Sequence, residues 1–385
     1  MKKIISFIVA ALLLFSVLSV FTAASPESNS ASTDGISVNA KSAILMEAST
    51  GKILYSQNDE YYNSAASVTK IMTLLLVCDA LAEGRYKLED TVCISEYASS
   101  MGGSQVFLKE GERLSVEELL KCTVIASAND AAVALAEYTE GSEAAFVHKM
   151  NAKARELGLK KTSFENATGL DEDTVEHYTC TYDIAVMSRE LIKHEIITKY
   201  SSLWQDSIRN GEFILTNTNR LVRFYDGCNG LKTGSTDKAG FCISVTAKRA
   251  DMQLIAVIMN ADTITERNNS ARALLDYGFS NYALYKYESE ELEKTPVFFG
   301  KSDILSIRAL PFSAVVKRSD LSKVEAFYEL PENVCAPIAN GQKVGSVTFK
   351  LGNEILGMSD VVSCYAVDKI SFFGIFFRML KNIFV

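Results

Sequence analysis

Proline frequency changes abruptly along this chain of 385 residues. All five prolines lie outside residues 27–295, at Pro26, Pro296, Pro311, Pro331 and Pro337. Proline fixes the backbone angle φ and removes a hydrogen-bond donor, so a change in its frequency indicates a change in the kind of structure. We therefore expect a domain boundary near residues 285–300, which agrees with a prior of roughly 100–200 residues per domain.

The segment before this boundary mixes strand and helix patterns. Two β-hairpins are predicted, one over residues 42–56 and one over residues 240–260. Between them, helical apolar spacing runs through Ile71–Leu81, Val116–Ala126 and Ala131–Tyr138. Strands at both ends with helices between them predict an α/β domain, built on an antiparallel sheet, over residues 38–285.

The segment after the boundary contains short β-like runs separated by turn residues, and we interpret residues 290–365 as a small all-β domain. Residues 366–385 differ again, because apolar and aromatic residues cover most of a helix whose other face carries Arg378 and Lys381. These charges make it a poor membrane-spanning segment. The pattern is typical of a helix lying in the membrane interface, with a helix docked on the protein's own core as the alternative.

The N-terminus has the pattern of a secretory signal peptide. Lys2 and Lys3 precede an almost wholly apolar run, Ile4–Val20, and small residues follow at Thr22–Ala24. We predict a signal peptide over residues 1–24 and a polar linker over residues 25–37. A retained transmembrane anchor is the alternative, and either one exports the rest of the chain.

Composition narrows the classes of partner and cofactor. The net charge of −8 argues against nucleic acid as the partner, because phosphate binding needs an excess of lysine and arginine. Only three histidines are present and none of the eight cysteines forms a CxxC pair, so neither a metal site nor a cofactor is predicted. Several cysteines lie in apolar contexts, which favours buried thiols over a disulfide framework.

The first chemical motif is Ser67-Val68-Thr69-Lys70, at the start of an apolar helix. Residues i and i+3 share a helix face, so the Lys70 amine is within reach of the Ser67 hydroxyl. Serine needs a base to act as a nucleophile, and lysine is such a base only when burial or a nearby positive charge lowers its pKa. An isolated motif of this kind is usually a solvated helix start.

The second motif is Ser127-Ala128-Asn129, between two helical patterns. Its hydroxyl can relay a proton and its amide can hold a peptide carbonyl, although alone it would be a loop or a helix cap. The third motif is Lys232-Thr233-Gly234, on a strand predicted beside the second hairpin. Its cation can lower the pKa of Lys70 and attract a carboxylate, its hydroxyl can bind that carboxylate, and its glycine allows close approach of the backbone to a ligand.

In this order the three motifs resemble the active-site set of penicillin-binding proteins and serine β-lactamases. The flanking residues narrow the resemblance to the low-molecular-mass D-alanyl-D-alanine carboxypeptidases, through Ala66–Thr73, Ile125–Ala132, Gly103–Gln105, Thr168–Leu170 and Asn217–Asn219. The likeness covers residues 38–285 well and continues loosely through Gly341–Gly345 to the terminal helix. It implies a penicillin-binding-protein-like catalytic domain followed by a small all-β domain.

The chain departs from the family pattern at three places. Ala128 replaces the usual glycine of the second motif, and its methyl group should be tolerated, with crowding of the cleft as the alternative. Ala65 stands where the family often has proline, and Asn229-Gly230 stands where Asp-Gly commonly precedes the third motif. None of these changes removes a catalytic side chain.

The resemblance implies a serine D-alanyl-D-alanine carboxypeptidase at the outer face of a bacterial membrane. It would release D-Ala from peptidoglycan stem peptides through an acyl-enzyme and be acylated by β-lactams. Arg267 matches the family's carboxylate-binding arginine, with an ordinary surface arginine as the alternative, and His177 is expected to be a packing residue. The implied roles are nucleophile for Ser67, base for Lys70, proton relay for Ser127, an oxyanion hole at the backbone N–H groups of Ser67 and Ser235, and substrate binding by Asn129, Lys232, Thr233, Gly234, Ser235 and Arg267.

Three other functions share these motifs. A class A β-lactamase would need a glutamate that activates water, usually in an ExxLN pattern, and this pattern is absent from the sequence. A binding or scaffolding protein would keep the pocket without useful turnover. A D,D-endopeptidase, which cuts peptide cross-links, shares every residue named above.

Overall fold

The computed structural model describes residues 36–171 and 174–383, with side chains described to residue 377. The predicted signal peptide, residues 1–24, lies outside the described residues. So does the predicted linker, residues 25–37, except for its last two residues.

Ten α-helices lie within the described residues, and the helices predicted from apolar spacing correspond to α1, α3 and α4. Their bounds are α1 Lys70–Ala82, α2 Glu96–Ser99, α3 Val116–Ile125, α4 Asn129–Glu140, α5 Glu143–Glu156, α6 Thr181–Leu191, α7 Glu195–Ser201, α8 Leu221–Phe224, α9 Ile264–Asn281 and α10 Phe372–Ile383. Short 3-10 helices cover Ala66–Thr69, Arg209–Gly211 and Arg318–Lys323.

The strands form one large sheet near the N-terminus, one large sheet near the C-terminus and several short ladders. Their bounds are β1 Ser42–Glu47, β2 Ile53–Gln57, β3 Asn63–Ser64, β4 Thr91–Cys93, β5 Arg113–Ser115, β6 Tyr178–Thr179, β7 Gln205–Ile208, β8 Phe213–Thr216, β9 Cys228–Thr236, β10 Gly240–Arg249, β11 Met252–Ala261, β12 Tyr282–Tyr287, β13 Glu290–Glu291, β14 Thr295–Phe298, β15 Ile304–Leu305, β16 Ile307–Ala309, β17 Phe312–Lys317, β18 Val324–Glu329, β19 Val334–Cys335, β20 Lys343–Leu351 and β21 Glu354–Ser363.

The N-terminal sheet has the strand order β2-β1-β11-β10-β9, and all its neighbours are antiparallel. Both hairpins expected from the sequence, β1–β2 and β10–β11, are therefore part of one sheet. The strand of the third motif, β9, pairs with β10 at the edge of this sheet, as expected. Strands that are distant in sequence, β1 and β11, close the sheet in the middle.

Side chains of the central strands alternate between two hydrophobic cores. In β1, Ile44 and Met46 belong to the core that contains α1, whereas Ala43 and Leu45 belong to the core on the other face, against α9. This alternation is the period of two that a strand imposes. Because both faces are covered, β1 is buried throughout, and α1, with ten buried residues, runs through the larger core.

The C-terminal sheet has the strand order β13-β16-β21-β20-β18, and a separate hydrophobic core lies beneath it. Phe349 is central to that core, and its ring stacks on Phe312 with centroids 4.3 Å apart. An α/β region with an antiparallel sheet followed by an all-β region is the fold class that the sequence predicted. Strand β12 pairs with β17 and crosses residue 285, so the predicted limits of the two domains stay predictions.

The terminal helix α10 presents exposed aromatic side chains. Phe372, Phe373, Phe376 and Phe377 are 79%, 70%, 52% and 66% exposed, so these rings are not buried in the protein's own core. No helix among the described residues combines the length and the apolar character that crossing a bilayer requires. All eight cysteines are free; most are buried as expected, but Cys93 and Cys335 are exposed.

Candidate active site

Ser67 lies in a single 3-10 turn, Ala66–Thr69, that leads directly into α1. The turn is bent at Ala66, whose φ of 43° lies in the left-handed region. Because α1 is buried, the turn is fixed against the core, whereas the Ser67 side chain stays partly exposed and lines a cleft. The start of a rigid helix therefore presents the hydroxyl to any molecule in the cleft.

Two glycines allow other segments to pack directly on the backbone of this turn. A Cβ at Gly234 would lie 2.8 Å from the Ser67 nitrogen, and one at Gly169 would lie 1.7 Å from the Ala66 oxygen. Contacts below 3.0 Å are not made by real Cβ atoms. The sequence predicted that Gly234 lets the backbone approach a ligand closely. The structure shows that Gly234 also packs closely against the backbone of Ser67.

Lys70 is fully buried, and its amine nitrogen contacts three oxygen atoms. These are Ser67 Oγ at 3.0 Å, Asn129 Oδ1 at 2.5 Å and the Thr168 carbonyl at 2.8 Å. Burial is the main cause that holds the pKa of Lys70 well below its ordinary 10.5, and the charge of Lys232 acts in the same direction. The buried Asp130 opposes both effects.

This geometry assigns the lone pair of a neutral Lys70. A neutral amine has two N–H donors and one lone pair, and two of its three neighbours are carbonyl oxygens that only accept. When the N–H groups donate to Asn129 and Thr168, the lone pair is left facing the Ser67 hydroxyl. The arrangement can therefore take the hydroxyl proton and generate a nucleophile.

The second motif forms a tight turn between α3 and α4. Ser127 has a φ of 61° and is 4% exposed, and the backbone nitrogen of Asn129 donates to the Ser104 carbonyl at 2.7 Å. The Asn129 amide nitrogen donates to the Gly102 carbonyl at 2.7 Å, which leaves its oxygen for Lys70. The Ala128 methyl group is buried in the core and is not among the described residues that line the cleft, so it is tolerated, as expected.

Lys232 points from β9 toward the second motif and is 1% exposed. Its amine donates to Ser127 Oγ at 2.6 Å and to the Thr233 carbonyl at 2.7 Å. Burial is the main cause that lowers the pKa of Lys232 from 10.5 to about 7, and the charge of Arg267 adds to it. Each of the two motif serines is therefore bonded to one buried lysine.

The rest of the third motif lies along the cleft. Thr233 Oγ1 donates to the Thr218 hydroxyl at 2.8 Å, and Ser235 is exposed toward the cleft. Arg267, in the first turns of α9, is 5% exposed, so it is not an ordinary surface arginine. Its guanidinium donates to Asn268 Oδ1 and to the Cys242 carbonyl, and burial lowers its pKa to about 10.

The cleft has a volume of about 640 Å³, within the range of roughly 300–1,000 Å³ typical of small-molecule sites. Arg220 and Arg267 line the cleft, and no carboxylate is among its described lining side chains. The electrostatic character of the cleft therefore favours an anion. The described lining residues are Ser67, Ser104, Ser127, Trp204, Thr216, Asn217, Thr218, Arg220, Phe224, Thr233, Gly234, Ser235, Phe241, Ile264 and Arg267.

Sequence reasoning missed several groups that complete the site. The Thr168 carbonyl fixes Lys70, but a backbone oxygen has no sequence signal beyond the family-like Thr168–Leu170 segment. The Asp130 carboxylate accepts from the backbone nitrogens of Val106 and Leu108 and so fixes the loop beside the second motif. The position of Asp130 directly after Asn129 was the sequence signal that could have identified it. No sequence signal identified Arg220 or Trp204 as part of the site.

His177 is buried and hydrogen-bonded on both ring nitrogens. Nδ1 accepts from the Glu165 backbone nitrogen at 3.1 Å, so in the neutral ring the proton lies on Nε2, which donates to Thr69 Oγ1 at 2.8 Å. Burial lowers its pKa to about 4. These contacts fix the helix turn that carries Lys70, and they fit the expected packing residue.

Comparison with known proteins identifies the family. The family model described as D-alanyl-D-alanine carboxypeptidase matches residues 27–263, and the penicillin-binding protein 5 C-terminal domain matches residues 279–369. D-alanyl-D-alanine carboxypeptidase DacF of Bacillus subtilis (strain 168) is 44% identical over 348 residues, covering 88% of this chain and 89% of the relative. D-alanyl-D-alanine carboxypeptidase DacC of Escherichia coli (strain K12) is 32% identical, covering 88% and 86%.

Solved structures agree. Penicillin-binding protein 5 from Haemophilus influenzae superposes with a TM-score of 0.76 at 29% identity, covering 86% of this chain and 98% of that protein. Penicillin-binding protein D2 from Listeria monocytogenes, solved in an ampicillin-bound form, has a TM-score of 0.58 at 30% identity, covering 63% and 98%. The fold class is confirmed by these likenesses. The chain belongs to the D-alanyl-D-alanine carboxypeptidase family and carries the C-terminal domain of penicillin-binding protein 5.

Proposed function

We propose that this chain is a serine D-alanyl-D-alanine carboxypeptidase that removes the terminal D-Ala of peptidoglycan stem peptides through an acyl-enzyme. One observation carries the proposal: the buried amine of Lys70 contacts two carbonyl oxygens and Ser67 Oγ, so in its neutral form its lone pair faces the Ser67 hydroxyl. The D-alanyl-D-alanine carboxypeptidase relatives and the preference of the cleft for an anion support the same substrate.

In the acylation step, Ser67 Oγ attacks the carbonyl carbon of the penultimate D-Ala while Lys70 takes the hydroxyl proton. The backbone N–H groups of Ser67 and Ser235 are the proposed donors to the oxyanion. Preorganised donors of this kind contribute about 3–4 kcal/mol each to transition-state stabilisation. The tight packing of Gly234 on the Ser67 turn supports this geometry, because it fixes the distance between the two backbones.

The leaving D-Ala needs a proton on its nitrogen and a site for its carboxylate. Lys232 donates to Ser127 Oγ at 2.6 Å, which gives Ser127 a proton source as it delivers its own proton to the amine. Thr233 and Arg267 are the proposed carboxylate partners, and Asn129 the partner of the substrate amide. Water then hydrolyses the ester at Ser67 and restores the free enzyme.

The test is D-Ala release from diacetyl-Lys-D-Ala-D-Ala by the wild type and by Ser67→Ala. Release by the wild type alone supports the assignment. The matched control, Ser100→Ala, removes an exposed serine and should keep wild-type activity. A wild type that is labelled by penicillin but releases no D-Ala would overturn the carboxypeptidase assignment and favour the binding or scaffolding protein.

β-Lactams are proposed inhibitors by the same chemistry. A β-lactam resembles the D-Ala-D-Ala end, so Ser67 would open the ring and remain acylated for as long as hydrolysis is slow. The ampicillin-bound form of the Listeria protein supports this expectation. Labelling by fluorescent penicillin should be lost in Ser67→Ala and unchanged in Ser100→Ala.

We also propose export to the outer face of the cytoplasmic membrane, with attachment through α10. The four exposed phenylalanines of this helix support the attachment, because exposed aromatic rings on an amphipathic helix partition into the bilayer interface. Deleting residues 367–385 should release active enzyme from phosphatidylglycerol–phosphatidylethanolamine vesicles in a flotation assay. Phe373→Ser with Phe377→Ser should do the same, whereas Phe327→Ser, an exposed aromatic of the C-terminal sheet, should not. Vesicle binding by the truncated enzyme would contradict the proposal.

A further inference from the structure

One wall of the cleft takes no part in the proposed reaction. It is formed by Trp204, Arg220, Phe224 and Ile264. Phe224 is 59% exposed and Ile264 is 43% exposed, so apolar surface is open to the cleft beside a cation. A wall of this composition can bind a group that has both an apolar part and a negative charge.

The contacts of Thr233 and Arg267 relate this wall to the proposed position of the leaving residue. The carboxylate of the leaving residue is assigned to Thr233 and Arg267, and Thr233 Oγ1 bonds to Thr218, which also lines the cleft two residues before Arg220. The charge of Arg220 is close enough to Arg267 to act on it. Whatever the leaving residue carries beyond its carboxylate therefore meets Arg220 and the two aromatic rings.

Arg220 lacks the neighbours that the nearby Arg223 has. Arg223 stacks on the Trp204 and Phe224 rings, with its guanidinium 5.5 Å from each centroid. No hydrogen bond or ion pair of the Arg220 side chain is found among the described residues, and no carboxylate lines the cleft there. A guanidinium in such surroundings is available for a carboxylate of the ligand, with which it can make two parallel hydrogen bonds.

We propose that Trp204, Arg220 and Phe224 form a leaving-group subsite for a second carboxylate on a leaving residue larger than D-Ala. This inference rests on the proposed function. The shared chemistry has two sources: a stem peptide that ends in an acidic D-amino acid, or a peptide cross-link, whose leaving arm is a second stem peptide. Ser67 forms the same ester in both, and the leaving nitrogen takes the proton from Ser127.

The kinetic test uses diacetyl-Lys-D-Ala-D-Xaa, with Xaa as D-Ala, D-Glu or D-Gln. D-Glu and D-Gln have nearly the same shape and differ in charge, so their ratio isolates the second carboxylate. We expect kcat/KM for the D-Glu peptide to exceed that for the D-Gln peptide by roughly fivefold in the wild type. Arg220→Gln should abolish this ratio and lower kcat/KM for the D-Ala peptide less than that for the D-Glu peptide.

Arg308→Gln is the matched control, because it removes the same charge from an exposed strand of the C-terminal sheet. It should keep the wild-type ratio of D-Glu to D-Gln. Penicillin labelling of all three proteins checks that each variant is folded. Equal rates for D-Glu and D-Gln in the wild type, or an unchanged ratio in Arg220→Gln, would overturn the subsite.

A binding test uses Trp204, the only tryptophan in the chain, as its reporter. In Ser67→Ala, which should bind without cleaving, the D-Glu peptide should change the tryptophan fluorescence more than the D-Gln peptide at equal concentration. Replacing the peptide by a purified cross-linked dimer distinguishes the sources. If the wild type cleaves the dimer and Arg220→Gln cleaves it more slowly, the subsite is assigned to cross-links. If the wild type does not cleave the dimer but still prefers the D-Glu peptide, the subsite is assigned to acidic termini. Failure to cleave even the D-Ala peptide would instead overturn the proposed function.

Discussion

Lysine side chains have opposite surroundings in the catalytic cleft and in the C-terminal sheet. Beside the cleft, Lys70 and Lys232 are 0% and 1% exposed, and neither forms an ion pair with a residue that the structure describes. In the C-terminal region, Lys323 and Lys343 lie in solvent and pair with Asp320 and Asp360. Both arrangements place lysine beside oxygen atoms, but only the first removes water.

The difference shows how a fold changes the chemistry of a side chain without changing its identity. An exposed ammonium group keeps its proton and contributes little to stability, because water screens the pair. A buried amine loses its proton at the expense of folding free energy and becomes a base. The buried lysines of the cleft therefore lower stability and gain reactivity, whereas the exposed lysines of the C-terminal sheet change neither property much.

The largest expected effect comes from replacing Lys70 by methionine, which has similar length and no charge. D-Ala release should fall at least about 10³-fold, because the base for Ser67 is removed. Unfolding at neutral pH should become harder, because the variant no longer buries an amine whose pKa is held well below its ordinary value. Product release and chemical denaturation measure the two effects.

The pH dependence of that stability gain sharpens the comparison. Between the lowered pKa of Lys70 and about 10.4, the unfolded chain binds a proton that the folded chain lacks, so wild-type stability rises with pH. Lys70→Met lacks this dependence. Its advantage over the wild type should therefore shrink as the pH rises toward about 10.4, whereas a constant advantage would contradict the lowered pKa of Lys70.

A smaller effect is expected for Gly234→Ala. The added Cβ would lie 2.8 Å from the Ser67 nitrogen and 3.0 Å from the Val68 nitrogen, so β9 must move away from the nucleophile. Misplacement on the order of 1 Å lowers rates about 10²-fold. The rate of acylation by fluorescent penicillin should fall accordingly while the melting temperature shows a folded protein. Acylation at the wild-type rate would mean that the contact does not position Ser67.

Arg267→Gln should act mainly on substrate binding. Loss of a charge-assisted hydrogen bond to the terminal carboxylate corresponds to about 1.5–3 kcal/mol, or roughly a 10- to 100-fold lower kcat/KM. Most of that change should be in KM. The control is Arg249→Gln, which removes an arginine stacked on Tyr225 and Phe279. Equal losses in both variants would assign Arg267 to the fold and not to the substrate.

The smallest effect is expected in the C-terminal sheet. Lys343→Gln breaks an ion pair with Asp360 whose side chains are 59% and 47% exposed. The melting temperature should stay within about 1–2 °C of the wild type, and D-Ala release should not change. A large loss of activity would show that the C-terminal sheet communicates with the cleft, and the contrast between the regions would not hold.

The sequence predicted the parts of this site that depend on local spacing. Ser67 and Lys70 are three residues apart on one turn, so their contact follows from helix geometry. The hairpins β1–β2 and β10–β11 followed from alternation and turns. The resemblance placed Arg267, which spacing alone did not distinguish from a surface arginine.

What the sequence did not predict depends on contacts between distant segments. The Thr168 carbonyl accepts from Lys70 although the two residues are 98 positions apart, and the residue type does not indicate what a backbone oxygen will contact. The alternative that the Ala128 methyl group crowds the cleft stayed open because sequence does not tell which face of a turn is buried. Arg220 is one of several arginines near Asn217–Asn219, and only the fold shows that its wall lines the cleft.

Main-chain atoms are the nearest neighbours of both glycines that pack on the turn around Ser67. Gly169 lies against the Ala66 oxygen and Gly234 against the Ser67 nitrogen, so a smaller neighbouring side chain would not relieve these closest contacts. Any replacement at either glycine adds atoms and pushes the nucleophile out of place. We therefore expect a change that weakens β-lactam acylation but keeps activity to arise at outer residues of the cleft such as Trp204 and Phe224, and not at these two glycines.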